Sequence, residues 1–392
     1  MTDVLVPVSL LRDPPRFGGA MSGDMRCGQP VVRSGRLVAL DTPAGTTPRI
    51  VLPRLVEAHC HLDKCHTQHR LGPTGGDLPH AIAMQHADKA HWTEADLRAR
   101  ATRGLSEAQA AGCQLIRSHV DWTDDGTAPL AWSVLGELAQ DHPQLQRAAL
   151  TGVKQWTDPG FAQAVARQLA GAQAVLGAFV YDQPGLRDGL QVIFEQANRH
   201  GLPLDFHVDE GLGEMNGLEA IAAAALATRC KGPILCGHAV SLMDRGATDL
   251  ARIIDKLLAA SIHICALPTT NLYLQGRAEG TPDRRGLTRL RELHAAGVPI
   301  VVGSDNVADA FCPTGAHDPM AALSLAVLAA HLDPPLGRWL PAITTDAAAA
   351  LGAAPTYVDS APLDALSVYD APDLTTVIAG RAPPVSATEV LT

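Results

Sequence analysis

Through the middle of the chain, short β-type apolar runs alternate with Ala/Leu-rich stretches of helical period. The strand-like runs are Ile50–Glu57, Gln114–Val120, Leu145–Leu150, Ala174–Tyr181, Pro203–Val208, Pro233–Cys236, His263–Ala266 and Pro299–Gly303. Helical patterns lie between them. In Thr93–Ala111, Thr93 suits an N-cap, Leu97, Ala101, Leu105 and Ala108 form one apolar stripe, and Gly112 ends the run. Arg187–His200, Gly217–Arg229, Asp244–Ala260 and Arg284–Ala296 read the same way, with Gly201 and Gly297 placed as helix stops. Eight strands in this alternation predict an α/β fold, a (β/α)₈ TIM-like barrel. A doubly wound open sheet is the alternative.

The two ends follow a different pattern. Gln29–Val32 and Arg36–Leu40 near the start, and Ser367–Tyr369 and Thr375–Ile378 near the end, read as short strands between Gly/Pro turns. The expected division is a small β domain from residues 1–52 and 350–392, and a barrel from 53–349.

Composition narrows the class. Of 392 residues, 46% are hydrophobic, enough for one large core, and the formal net charge is -10. The longest basic run is Arg284-Arg285, so nothing favours nucleic-acid binding. Eight scattered cysteines without a CxxC pair suit reduced thiols in a cytoplasmic protein. No apolar run approaches the roughly 20 residues of a membrane span, and no signal peptide is expected. Homo-oligomerisation is left open.

Barrel active sites lie at the C-terminal ends of the strands. The first strand ends in Glu57-Ala58-His59-Cys60-His61, where alternation puts His59 and His61 on one side and Cys60 on the other. His207, Asp209 and Glu210 end the fifth strand, His238 the sixth, and Asp305 and Asn306 the eighth. A single strand-end histidine serves structural roles as readily, and Asp305 alone could cap a turn. Their joint placement on one rim points to one divalent ion, Zn²⁺ or Fe²⁺, with a position open to water. His119 and Asp121 are expected to support the rim by hydrogen bonds. His66, His69, His80, His86 and His91 fall in a polar loop of roughly thirty residues, read as mostly solvated.

The stretches VEAHCHLDK (56–64), HVDE (207–210), GHA (237–239) and GSDNVADAF (303–311), with the loop from Asn271 to Leu290, make the chain resemble the amidohydrolase superfamily and, within it, the cytosine deaminase group. HLDK is also similar to triazine-ring aminohydrolases. The resemblance implies a distorted barrel with a small β-sandwich from both termini. It implies His59, His61, His207 and Asp305 as metal ligands. Glu210 would be the proton shuttle, His238 would stabilise the oxyanion, and Asp305 would also serve in catalysis. Gln275 would sit over the substrate and Phe311 beside it. The end of strand four, Ala178 to Asp182, carries no lysine for a second metal.

Two positions depart from the cytosine deaminase pattern. Gly152 stands where a glutamine is expected, with Gln155 three residues on, and Asn306 stands where an aspartate is usual. The substrate is therefore expected to be a small nitrogen heterocycle related to cytosine, and both departures count against cytosine itself. Trp156 is a candidate stacking wall or a core residue. Ring-opening hydrolysis of a cyclic amide is the second enzymatic reading, and a non-catalytic metal-binding barrel the third.

Overall fold

The computed structural model describes residues 2–72, 74–170 and 174–391. Met1 and Thr392, the outer limits of the expected terminal segments, lie outside it. Eight strands follow one another in parallel and in sequence order: β1 Leu55–Cys60, β2 Cys113–Asp121, β3 Leu145–Gly152, β4 Val175–Val180, β5 Leu204–Val208, β6 Ile234–His238, β7 Ile262–Ala266 and β8 Ile300–Val302. The first and last meet through a bridge between Cys60 and Asp305, where Asp305 N donates to His59 O at 2.9 Å. That contact makes the sheet a nearly closed barrel and removes the open-sheet alternative.

Helices cover the strands: α1 Leu78–Asp88, α2 Glu94–Ala110, α3 Leu130–Asp141, α4 Pro159–Ala170, α5 Leu186–His200, α6 Gly217–Thr228, α7 Ala247–Ala259, α8 Pro268–Leu274, α9 Leu290–Ala295, α10 Pro319–Ala329 and α11 Thr345–Ala350. In α5 the residues Leu190, Ile193, Phe194 and Ala197 recur at helical spacing and are buried. Each large apolar side chain there contributes about 1.5–3 kcal/mol. Gly201 ends this helix at φ 65°, a backbone state that favours glycine. Thr93 accepts from Asp96 N at 3.2 Å and starts α2. A second apolar cluster joins Val56, Ala58, Leu235, Cys265 and Val301 of the barrel to Ala347 and Leu351 at its last helix.

Both ends of the chain contribute to two further sheets. One has six strands in the order Pro384–Ser386, Leu366–Tyr369, Arg49–Pro53, Val4–Pro7, Met25–Gly28, Ala20–Ser22. The other pairs Ala361–Pro362, Arg36–Leu40 and Pro30–Arg33. All these pairings are antiparallel except that of Val4–Pro7 with Arg49–Pro53.

Four expectations need correction. The first predicted strand is two: Arg49–Pro53 joins the terminal sheet, and the chain changes sheets at Arg54, whose N–H bonds Ala365 O at 3.0 Å. Leu374–Ile378 is a helix, because the Asp373 side chain accepts from Thr376 N at 2.7 Å and caps it. Only Leu290–Ala295 of the predicted Arg284–Ala296 helix forms. The preceding segment is held by long-range bonds, Arg285 Nε to Leu272 O (2.8 Å) and Arg289 Nη2 to Met243 O (2.9 Å). The polar loop after β1 contains α1, capped by Asp77 and packed through Ala81 against Leu274 and Phe311. Among the described residues no helix is long and apolar enough to cross a membrane.

Candidate functional site

His59 and His61 leave β1 on the same side, while the Cys60 thiol turns away and donates to Arg117 O at 3.4 Å. From β5 comes His207, whose Nε2 lies 3.2 Å from His59 Nε2 and 3.1 Å from His61 Nε2. Asp305 follows β8, with Oδ1 3.2 Å from His61 Nε2 and 3.6 Å from His59 Nε2. All four side chains are buried. Burial drives the three imidazoles well below their ordinary protonation range, so they are neutral and their ring nitrogens carry lone pairs. Three such nitrogens facing one another cannot all find a proton to share, and neither Asp305 oxygen has a hydrogen-bond partner. A tetrahedral metal with bonds of about 2.0–2.1 Å sets neighbouring nitrogens about 3.3–3.4 Å apart. The donor set and its spacing fit one divalent ion.

Close packing holds these ligands. Gly237 lies under the His59 ring: a Cβ there would stand 2.9 Å from His59 Cε1. Glu57 accepts from His59 N (3.2 Å) and Ser304 N (3.1 Å), tying the two ends of the barrel together beside the ligands. Burial raises its carboxyl to about 7 against those hydrogen bonds.

His119 stands closer to this centre than a rim support would. Its ring is 4.0 Å from that of His59 between centroids, and it groups with His59, His61 and His207 as a possible ligand set. Its Nε2 is 3.1 Å from Asp205 Oδ1, and Asp205 Oδ2 accepts from Arg117 Nη1 at 2.8 Å. Asp121 bonds Lys64 Nζ (2.8 Å) and Lys89 Nζ (2.9 Å).

On the open side, Glu210 Oε2 lies 3.6 Å from His238 Nε2. Burial, reinforced by the Asp305 charge and opposed by Lys64, holds the Glu210 carboxyl well above the usual range. Burial draws His238 down to about 4, so its ring is neutral. Asn271 Nδ2, a donor only, lies 3.0 Å from His238 Nδ1. The proton of His238 is thereby placed on Nε2, which has no partner and faces Glu210. His238 (φ 68°), Ala239 (φ 47°), Asp209 (φ 48°) and Asp305 (φ 59°) all adopt left-handed backbone. This costs about 1–2 kcal/mol per residue and concentrates strain at three strand ends.

The other predicted residues have mixed placements. Gln275 donates to Glu210 O at 3.0 Å. Phe311 is buried, with Lys64 Nζ 5.1 Å from its ring centre. Asn306 is turned to Asp309, donating at 2.6 Å, and so holds the loop after β8. A side chain on Gly152 would collide with the Gln155 carboxamide, so Gln155 folds over the end of β3. Its Nε2 donates to Asp124 Oδ1 at 2.7 Å. Trp156 is not a wall of the mouth. It is fully buried, donates to Thr151 Oγ1 at 2.8 Å and stacks edge-on with Phe161. It borders a cavity of about 510 Å³ between α4 and α5, with Ala162, Arg167 and Arg199. His66 is buried and not solvated, whereas His69, His80, His86 and His91 are exposed.

Sequence reasoning named His119 as a support but missed Lys64, Asn271, Glu57 and the Arg117–Asp205 pair behind it. Lys64 lies in the motif read for its histidines, and a bare Asn or Arg gives no positional signal before the strands are closed.

A family model described as "Amidohydrolase family" matches residues 77–356. A pterin deaminase of Rhizobium rhizogenes (strain K84) is 35% identical over 357 residues, 86% of this chain and 79% of that protein. Among solved structures, 5-methylcytosine deaminase from Klebsiella pneumoniae, liganded with phosphonocytosine, superposes with a TM-score of 0.77 at 23% identity, covering 98% of this chain and 97% of the other. N-isopropylammelide isopropylaminohydrolase from Burkholderia multivorans gives 0.71 at 21% identity, covering 99% and 97%. These two likenesses speak for the fold.

Proposed function

The chain belongs to the amidohydrolase family, and we propose that it is a single-metal deaminase of an amino-substituted nitrogen heterocycle, with pterins as the substrate class. The observation that carries the chemistry is the pairing of Glu210 with His238 beside His59, His61, His207 and Asp305. The pterin assignment rests on the 35% identical pterin deaminase, which aligns over most of the chain.

His59, His61, His207 and Asp305 would hold one Zn²⁺ or Fe²⁺, both of which accept three imidazoles and a carboxylate. The bound ion supplies a water acidified toward neutrality. Asp305, whose carboxylate oxygens have no hydrogen-bond partner, would take the proton of the attacking water. Glu210, kept protonated by burial, delivers a proton to the ring nitrogen next to the amine-bearing carbon. His238 directs its Nε2–H to the oxygen that becomes bonded to that carbon, with Asn271 fixing the ring. The tetrahedral carbon collapses as its new hydroxyl returns a proton to the Glu210 carboxylate, the amine takes the proton held by Asp305, and ammonia leaves as the C–N bond breaks. Gln275 supports the Glu210 main chain, and Phe311 and Lys64 border the ring. At the end of β3 the Gln155 carboxamide over Gly152 offers a partner for the lactam edge of a pterin. Asn306 acts through the loop it holds.

The test is ammonia release by metal-loaded protein across pterins, pyrimidines and triazines. Pterins are expected to give the highest kcat/KM, with a 2,4-dioxo product in which oxygen replaces the 2-amino group of the same ring. A ring-opened product without ammonia would support the cyclic-amide reaction instead, and no turnover on any ring would refute both. Glu210→Gln is expected to keep the metal and lower kcat by about two to four orders of magnitude. Asp305→Asn and His61→Ala are expected to lose both metal and turnover.

A further inference from the structure

A second group of metal-ligating side chains lies behind the first and shares no residue with it. Cys65 and His66 lie in the turn after β1, and His317 sits just before α10. One donor atom from each lies within 4.8 Å of the other two. His317 and Cys65 are 0% exposed and His66 is 5% exposed. Both ring nitrogens of His66 and Nε2 of His317 are buried without a hydrogen-bond partner. Ser304 Oγ lies 3.5 Å from His317 Nδ1, which leaves Nε2 as the free donor of that ring. From α2, Glu107 brings Oε1 to 3.4 Å from His66 Nε2, and its Oε2 is buried without a partner. One turn earlier on α2 is Gly104, where a Cβ would stand 2.8 Å from His317 Nε2. The glycine keeps room for that ring.

We propose that Cys65, His66 and His317, with Glu107 beside them, bind a structural Zn²⁺ separate from the ion held by His59, His61, His207 and Asp305. One thiolate, two imidazoles and a carboxylate form a borderline-soft set that suits zinc. Burial lowers His66 and brings His317 to about 3, so both imidazoles are neutral ligands. The Cys65 thiol donates to Leu62 O (3.5 Å) and Arg100 O (3.6 Å), and burial pushes it above its ordinary range, so it would give up its proton only as the sulfur–metal bond forms.

The ion would join three segments. His66 N bonds Val307 O at 3.0 Å, and Gln68 N bonds Ala308 O at 2.9 Å. The turn after β1 carries His61, the loop after β8 carries Asp305, and α2 backs both. A second ion fastening these pieces fixes the spacing of the first ion's ligands without touching substrate.

Full-length protein stripped of metal and reloaded with zinc should bind two equivalents per chain. Loaded with Co²⁺, it should show a thiolate-to-cobalt charge-transfer band in the near ultraviolet, which a centre of three imidazoles and a carboxylate cannot give. Cys65→Ser should lose the band and one equivalent and keep the other. His61→Ala should lose one equivalent and keep the band. A single equivalent with no band in the wild type overturns the proposal, as does a band and second equivalent that survive Cys65→Ser. The wild-type count and spectrum decide the matter even where a variant fails to fold. The readout involves no turnover, so failure of the pterin assignment leaves it standing.

Discussion

Gly237→Ala tests whether the ligand geometry is set by close packing in the barrel. An alanine Cβ at that position would stand 2.9 Å from His59 Cε1 and 3.1 Å from His59 Nδ1. Carbon pairs rest about 3.5–4.0 Å apart, so the ring must retreat by roughly 0.6 Å or more unless β6 itself moves. Retreat is hindered, since the His119 ring lies 4.0 Å away and His207 Nε2 is 3.2 Å from His59 Nε2. Metal–ligand distances tolerate only about 0.2 Å. The ligand shell therefore fails before the barrel does. Metal affinity should fall about 10–100-fold, the usual cost of losing support around a ligand. Turnover at saturating metal should fall up to about 100-fold, as for a 1 Å misplacement. Folding stability should drop by about 1–3 kcal/mol. Chelator competition, ammonia release and denaturant unfolding measure the three. Gly72→Ala is the control, because nothing lies within 4 Å of a Cβ there. If Gly237→Ala binds metal within twofold of wild type and turns over normally, the reasoning about His59 is wrong.

Asn271→Ala removes one neutral hydrogen bond to His238, worth about 0.5–1.5 kcal/mol. It should lower kcat about 2- to 13-fold with less change in KM; an unchanged kcat removes Asn271 from positioning the ring. Asp205→Asn breaks a fully buried pair with Arg117 and removes the charge beside His119. It should cost roughly 3–5 kcal/mol in denaturant unfolding, and a loss below about 1 kcal/mol would contradict this. Trp156→Phe should lower stability by about 1 kcal/mol through the lost bond to Thr151 and leave kcat/KM unchanged. A selective fall in kcat/KM would restore Trp156 as a substrate wall.

The barrel was legible because its strands are short apolar runs separated by amphipathic helices, and periodicity carries that signal. The HxH pair was legible because alternation fixes the sides of His59 and His61 from sequence alone. Thr375–Ile378 misled for a physical reason: β-branched residues favour strands, but the Asp373 cap and tertiary packing prevail. In Arg284–Arg289, arginine bonds to distant carbonyls outweigh helical preference. Asn271 escaped notice because its value lies entirely in which nitrogen of His238 it meets, a matter of the end of β6 meeting α8. His66 looked like a loop histidine because burial of a turn depends on what covers it, here α2 and the loop after β8.

The single bridge between Cys60 and Asp305 places the proposed metal ligands on both sides of the barrel's seam. The nearby Glu57–Ser304 bond joins positions 247 apart in the chain. At about 5–20 residues per second, a ribosome needs about 12–50 s to synthesise that interval. The histidine pair thus emerges long before the carboxylate that completes the proposed ligand set. Closing so long a loop is entropically costly and late. The ligand set proposed for the ion would therefore come together only when the seam closes.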